Sequence, residues 1–164
     1  MQLVQLPVNI NFKQCKDMEK DHYIGVDISK RTIDIAIYVK SQAKKGTFPH
    51  ETFSNTEEGF KDMKKWLRKQ HVVLSKSLFC MEATGNYTYE LCLFLEQLGV
   101  AYSIQSPLHL KRSFGLTHGK NDKVDASRIV YYAYLHREDI KLSKLASDSV
   151  RKLKALIVER KSLV

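Results

Sequence analysis

Residues 22–40 read HYIGVDISKRTIDIAIYVK, two runs rich in Ile, Val and Tyr on either side of a short polar SKRT. Runs of β-branched and aromatic residues broken by turn-forming residues predict a β-hairpin. TFPHETFSN (47–55) predicts a third strand, with Pro49 confining it to an edge or to the strand's start. From there the pattern changes to alternation of helix and strand. Asn55 predicts the cap of a helix running to about Gln70, with Phe60, Met63, Trp66 and Leu67 on one face. SLFCME (77–82) is short and nearly all apolar, as expected of a strand covered on both sides. Residues 86–99 predict a helix ended by Gly99, and VAYSIQ (100–105) a further strand. Ser106-Pro107 reads as a cap followed by proline at the first helical position. A helix from about Asp122 to Leu135 follows, and a last one begins near Ser147. A meander of strands followed by alternation is an α/β layered pattern with a mixed sheet.

The chain has 164 residues, 43% of them hydrophobic, enough for one ordinary domain with a real core and room for an appendage. Its three cysteines, Cys15, Cys80 and Cys92, show no C-x-x-C spacing and cannot all pair. That predicts a reducing, cytoplasmic setting without a disulfide framework. No His pair with nearby Cys has zinc-site spacing. The N-terminal stretch lacks the charged leader and long apolar run of a signal peptide, and no segment approaches the roughly 18 apolar residues of a membrane span. The net charge of +9 is uneven. Residues 1–105 carry 14 Lys/Arg against 12 Asp/Glu, whereas 106–164 carry 13 against 6. A basic C-terminal third points to a polyanion partner, most often nucleic acid.

Four carboxylates stand out. Asp27 lies inside the apolar run YIGVDIS, where an ionisable group costs free energy unless it is paired or metal-bound. A solvent-facing strand end that starts the turn is the simpler alternative. Glu82 closes SLFCME in the same way, just before Thr84-Gly85-Asn86. Gly85 there either makes the turn or lets the backbone approach a ligand closely. Asp122 and Asp125, in GKNDKVDASR, are explained by helix capping and the macrodipole alone. Their spacing nevertheless places both on one helix face, one turn apart. The combination carries more than any member. Hard divalent cations take oxygen ligands, and two-metal sites hold ions about 3.5–4 Å apart. Without a cation, two like charges about 4 Å apart repel by about 4 kcal/mol at an effective dielectric of about 20. With one, such a cluster activates a nucleophile and neutralises charge developing on a phosphate.

The Asp of GVDISK, the Glu of MEATGNY and the paired Asp of KNDKVDA, in that order and separation, resemble the Asp-Glu-Asp-Asp tetrad of RuvC-like transposases with an RNase H-like fold. More narrowly, the chain is similar to the N-terminal catalytic domain of the insertion sequence 110 family, whose transposases act with a structured guide (bridge) RNA. SNTEEGFKDMKKWL and the basic segment KLSKLASDSVRKLKAL support the likeness, which extends over about residues 22–164. The resemblance implies that Asp27, Glu82, Asp122 and Asp125 are catalytic and hold Mg²⁺, with Mn²⁺ able to substitute. It also implies DNA and guide RNA as partners, with Lys111, Arg112, Lys120 and Lys123 as candidate nucleic-acid contacts. His118 lies on the same approach, and Asn86 and Tyr87 either orient the turn or touch substrate.

The implied organisation is an N-terminal extension (1–21), a RuvC-like catalytic domain (22–140), and a linker leading into a long helix (141–164). Val150, Leu153, Ile157 and Val164 fall near a and d positions in that helix, a possible homo-oligomer contact, but two heptads do not establish a coiled coil. Family members continue into a second domain bearing a serine nucleophile, which this sequence does not include; Ser29, Ser127 and Ser143 have no claim to replace it. Strand exchange would then be incomplete with this chain alone. Competing expectations are a stand-alone, junction-resolvase-like endonuclease and a non-catalytic nucleic-acid-binding remnant. An actin-like or sugar-kinase ATPase also opens on an Asp-bearing hairpin, but DISK lacks the glycines that approach ATP phosphates.

Overall fold

β-Branched residues alternate along both arms of the predicted hairpin, and the chain folds accordingly into β1 (His22–Ile28) and β2 (Thr32–Ile37). The structure, a computed structural model, describes residues 20–39, 41, 48–114, 122–147, 149, 150, 152 and 156; the side chains of 113, 114 and 122–124 lie outside that description. Ser29 closes the turn, its hydroxyl accepting from the Arg31 and Thr32 amides. β3 (His50–Ser54) follows, and Pro49 precedes it, where a missing N–H costs no ladder bond.

Helix α1 (Glu57–Lys69) starts one residue later than expected. Thr56 is its cap, accepting from the Gly59 amide at 3.3 Å, while the Asn55 side chain is used elsewhere. Phe60, Met63 and Leu67 are buried as their spacing requires, with Trp66 partly buried beside them. β4 (Ser77–Glu82) is buried through its first five residues. The predicted 86–99 helix is split into a 3₁₀ turn (Gly85–Thr88) and α2 (Tyr89–Gln97). Gly85 and Gly99 both have φ of +66°, so each makes a turn that a side chain would strain. β5 (Ala101–Gln105), α3 (Pro107–Phe114) and α4 (Asp122–Leu135) complete the described elements, α4 with the bounds the sequence predicts.

The sheet order is β3-β2-β1-β4-β5, with β1–β2 and β2–β3 antiparallel and β1–β4 and β4–β5 parallel. This is the mixed sheet that the sequence predicts. One face carries Ile24, Val26, Ile33, Ile35, Phe79 and Met81 against α1 and α2. The other carries Tyr23, Ala36, Leu78, Cys80 and Ala101 against α4. Cys80 and Cys92 are free, buried thiols in these opposite clusters; Cys15 lies outside the described residues.

The free edge of β5 is covered by the chain after α4. Ser143 donates its amide to the Tyr102 carbonyl and accepts from the Ile104 amide, and Leu145 donates to Glu96. An unpaired strand edge is thereby closed to adventitious pairing. Beyond it, residues 149, 150, 152 and 156 are helical. The expected long helix otherwise lies outside the described residues.

Candidate active site

Alternation along the strands decides which side chains share a face. Gly25 faces α4 so closely that a Cβ there would stand 2.5 Å from the Val130 amide nitrogen and on top of the Ala126 carbonyl. Asp27, two residues on, therefore faces the same side, at the end of β1 that meets the first turns of α4. The pairings Asp34↔Thr52, Asp27↔Asp34 and Glu82↔Gln105 continue this row across the sheet. Asp27 and Glu82 each sit one step past Val26↔Met81, the last matched pair of the β1–β4 ladder. A polar row thus crosses the sheet from Thr52 to Gln105. The residues one step back in the row's own face, such as Gly25, Ala36, Cys80 and Ser103, are buried, and the polar row is where the packed layer under α4 ends.

Thr52, Asp34 and Gln105 are held by side-chain hydrogen bonds. Asp34, which the sequence analysis did not single out, is 8% exposed and accepts a hydrogen bond from the Thr52 hydroxyl. Gln105 accepts from the Tyr132 hydroxyl on α4 and donates to Ser103 at 2.6 Å. Asp27 and Glu82 are both half-buried near the ends of their strands. Asp125 is also half-buried, directly before Ala126, and pairs with Arg128 at 3.5 Å one turn along.

Asp27 and Glu82 thus come together at the ends of adjacent parallel strands, with Asp125 on the helix docked over β1. Among the described residues, no three His, Cys, Asp or Glu side chains form a ready-made metal group. The side chain of Asp122, in the first turn of α4, lies outside that description. The candidate donor set is all carboxylate oxygen, which suits a hard divalent cation. Of the basic candidates, Lys111 and Arg112 are exposed in the last turn of α3. Lys120, His118 and the Lys123 side chain lie outside the described residues. Tyr87 is 46% exposed, and its carbonyl accepts from the Asn55 amide. Ser29 and Ser143 are engaged in turn and edge hydrogen bonds.

A sequence model of the DEDD transposases of insertion sequence 110 type (IS110), described as "Transposase", matches residues 24–164. The chain belongs to that family. This IS110-type transposase chain is 32% identical over 141 residues to the pilin gene-inverting proteins of Moraxella bovis and Moraxella lacunata. The match covers 84% of this chain and 41% of each relative, so the chain spans about two-fifths of the length of these curated relatives. Among solved structures it is similar to RuvC of T. thermophilus in complex with a Holliday junction substrate. That likeness has a TM-score of 0.51 at 10% identity and covers 74% of this chain and 99% of RuvC. The IS110-type chain therefore has an RNase H-like, RuvC-like fold. Among the described residues no helix is long and apolar enough to cross a membrane.

Proposed function

We propose that the chain is the metal-dependent catalytic domain of a DNA transposase, with Asp27, Glu82, Asp122 and Asp125 as the ligands of Mg²⁺. The observation that carries this reading is the polar row at the ends of β1 and β4, with α4 docked over Gly25 so that its first turns meet it. Carboxylates brought to one edge from two strands and a helix repel one another, and a cation removes that cost. The bound cation would activate the attacking group and neutralise charge on the scissile phosphate. The protein's own part would be to hold the carboxylates at the margin of the packed layer under α4.

Residues 22–140 form this catalytic domain in our reading, and 141–164 lead from it toward a helix that serves oligomerisation and a further, serine-bearing domain. Lys111, Arg112, Lys120 and Lys123 contact phosphates of DNA or of a structured guide RNA. The family and the gene-inverting relatives support DNA strand exchange as the overall reaction, which this chain performs only with the remaining domain. The test is Mn²⁺ or Mg²⁺ titration of the wild type and of the Asp122→Ala/Asp125→Ala variant. Affinity should fall in the variant, and equal affinity would overturn the tetrad.

A second reading, a structure-specific endonuclease acting without a further domain, is favoured by the RuvC-like fold. Mg²⁺-dependent cleavage of branched DNA by residues 1–164 alone would select it over the first.

A further inference from the structure

Asn55 is placed by sequence as a helix cap, yet Thr56 takes that role and the Asn55 amide points across the molecule. Its Nδ2 donates to the Ser29 carbonyl at 3.0 Å and to the Tyr87 carbonyl at 3.1 Å, partners 26 and 32 residues away. Its backbone N–H donates to the Arg31 carbonyl at 2.8 Å. Ser29 and Arg31 belong to the turn that begins just after Asp27, and Tyr87 to the turn that begins just after Glu82. One side chain therefore ties together the two loops that leave the candidate carboxylates.

The tie falls where the sheet stops supplying one. Matched β1–β4 pairs end at Val26↔Met81, so Asp27 and Glu82 lie just past the part of the ladder that sets strand spacing. Beyond that point Gly85, with φ of +66°, turns the β4 chain away. The orientation of the amide is forced, because both neighbours are carbonyl acceptors and only the NH₂ end can face them. Its Oδ1 is buried without a hydrogen-bond partner among the described residues, as is Oγ1 of Thr84 in the same turn. Unpaired buried oxygens are costly. A residue kept only to start a helix would not leave its oxygen in that state.

We infer that Asn55 is a positioning residue that sets the spacing of the Asp27 and Glu82 carboxylates by clamping the loops beyond them. The inference rests on the proposed metal reading for its functional consequence, though not for the clamp itself. Two variants and one control test it. Asn55→Ala removes both bonds, and Asn55→Asp keeps the shape while placing an oxygen against two carbonyls. Thr56→Ala removes the neighbouring cap and leaves the clamp.

Mn²⁺ affinity should fall about 10-fold in both Asn55 variants, the lower end for groups that orient metal ligands, and hardly change in Thr56→Ala. Backbone amide exchange should rise together in residues 29–32 and 84–88 of the Asn55 variants, with or without Mn²⁺. Unchanged exchange in those loops, or an equal effect of Thr56→Ala on Mn²⁺ affinity, would overturn the clamp. If Asp27→Ala leaves Mn²⁺ affinity intact, the metal reading fails. Exchange then still decides whether Asn55 ties the loops.

Discussion

Gly25 marks a close approach between α4 and the sheet. The obstacle to a side chain there is backbone, at Ala126 and Val130, and cannot rotate away. We expect Gly25→Val to cost about 3 kcal/mol or more, the upper end for overpacking, and to lift Asp125 away from the strand ends. Chemical denaturation checks the first effect and Mn²⁺ titration the second. The thiols give a pH prediction. Burial pushes Cys80 from an ordinary 9.0 up to about 12, and burial, aided by the Glu96 carboxylate, does the same for Cys92. In the unfolded chain both ionise near pH 9 while the folded chain keeps its protons. The unfolded state therefore binds fewer protons between pH 9 and 12, and stability present below pH 9 is lost as pH rises through that window. Tyr38, pushed up to about 12 by burial and by Tyr134, acts in the same direction. Thermal unfolding from pH 8 to 11 should show this decline, and Cys80→Ala should make it shallower. At residue scale Asp27 and Glu82 stand out in the sequence because each interrupts an apolar run. Asp34 does not, because TIDIAI reads as ordinary alternation, and nothing local says that this strand's polar face is buried beneath a helix.

Among the elements, α1 shows how far local rules reach. Asn55 and Thr56 are both good caps, and sequence cannot rank neighbours of equal propensity. The choice was made by the carbonyls of Ser29 and Tyr87, which take the Asn55 amide and leave the cap to Thr56. Thr56→Ala should cost about 1 kcal/mol of stability, measured by urea denaturation. The turn after β4 departed from prediction for a related reason. With Gly85 at positive φ, the chain enters α2 through a 3₁₀ turn, and Thr88 donates to the Gly85 carbonyl. The bounds of α4 were legible because Asp122 supplies a strong start, although α4 is weakly amphipathic. Its buried side combines the small and branched residues Ala126, Ile129, Val130 and Ala133, suited to lying flat on a sheet, with Tyr132.

At the scale of the whole molecule, residues 106–164 hold +7 of the net +9. If this third meets a nucleic-acid backbone, log affinity should fall linearly with log salt, with a slope of about −0.9 per phosphate neutralised on duplex DNA. Lys111→Ala/Arg112→Ala should flatten that slope by about two phosphates' worth. A filter-binding series across salt concentrations measures it; an unchanged slope would remove α3 from the interface. By itself, the sequence determined the element types, the sheet's mixed character and the order of the four carboxylates. These follow from short-range periodicity and from ionisable groups placed where burial is unfavourable. Only tertiary structure decided which carboxylates share a face, that Gly25 brings α4 down onto β1, and that Asn55 ties two distant loops. Those facts depend on register and on contacts between residues far apart in the chain, where a shift of one position moves every side chain to the opposite face.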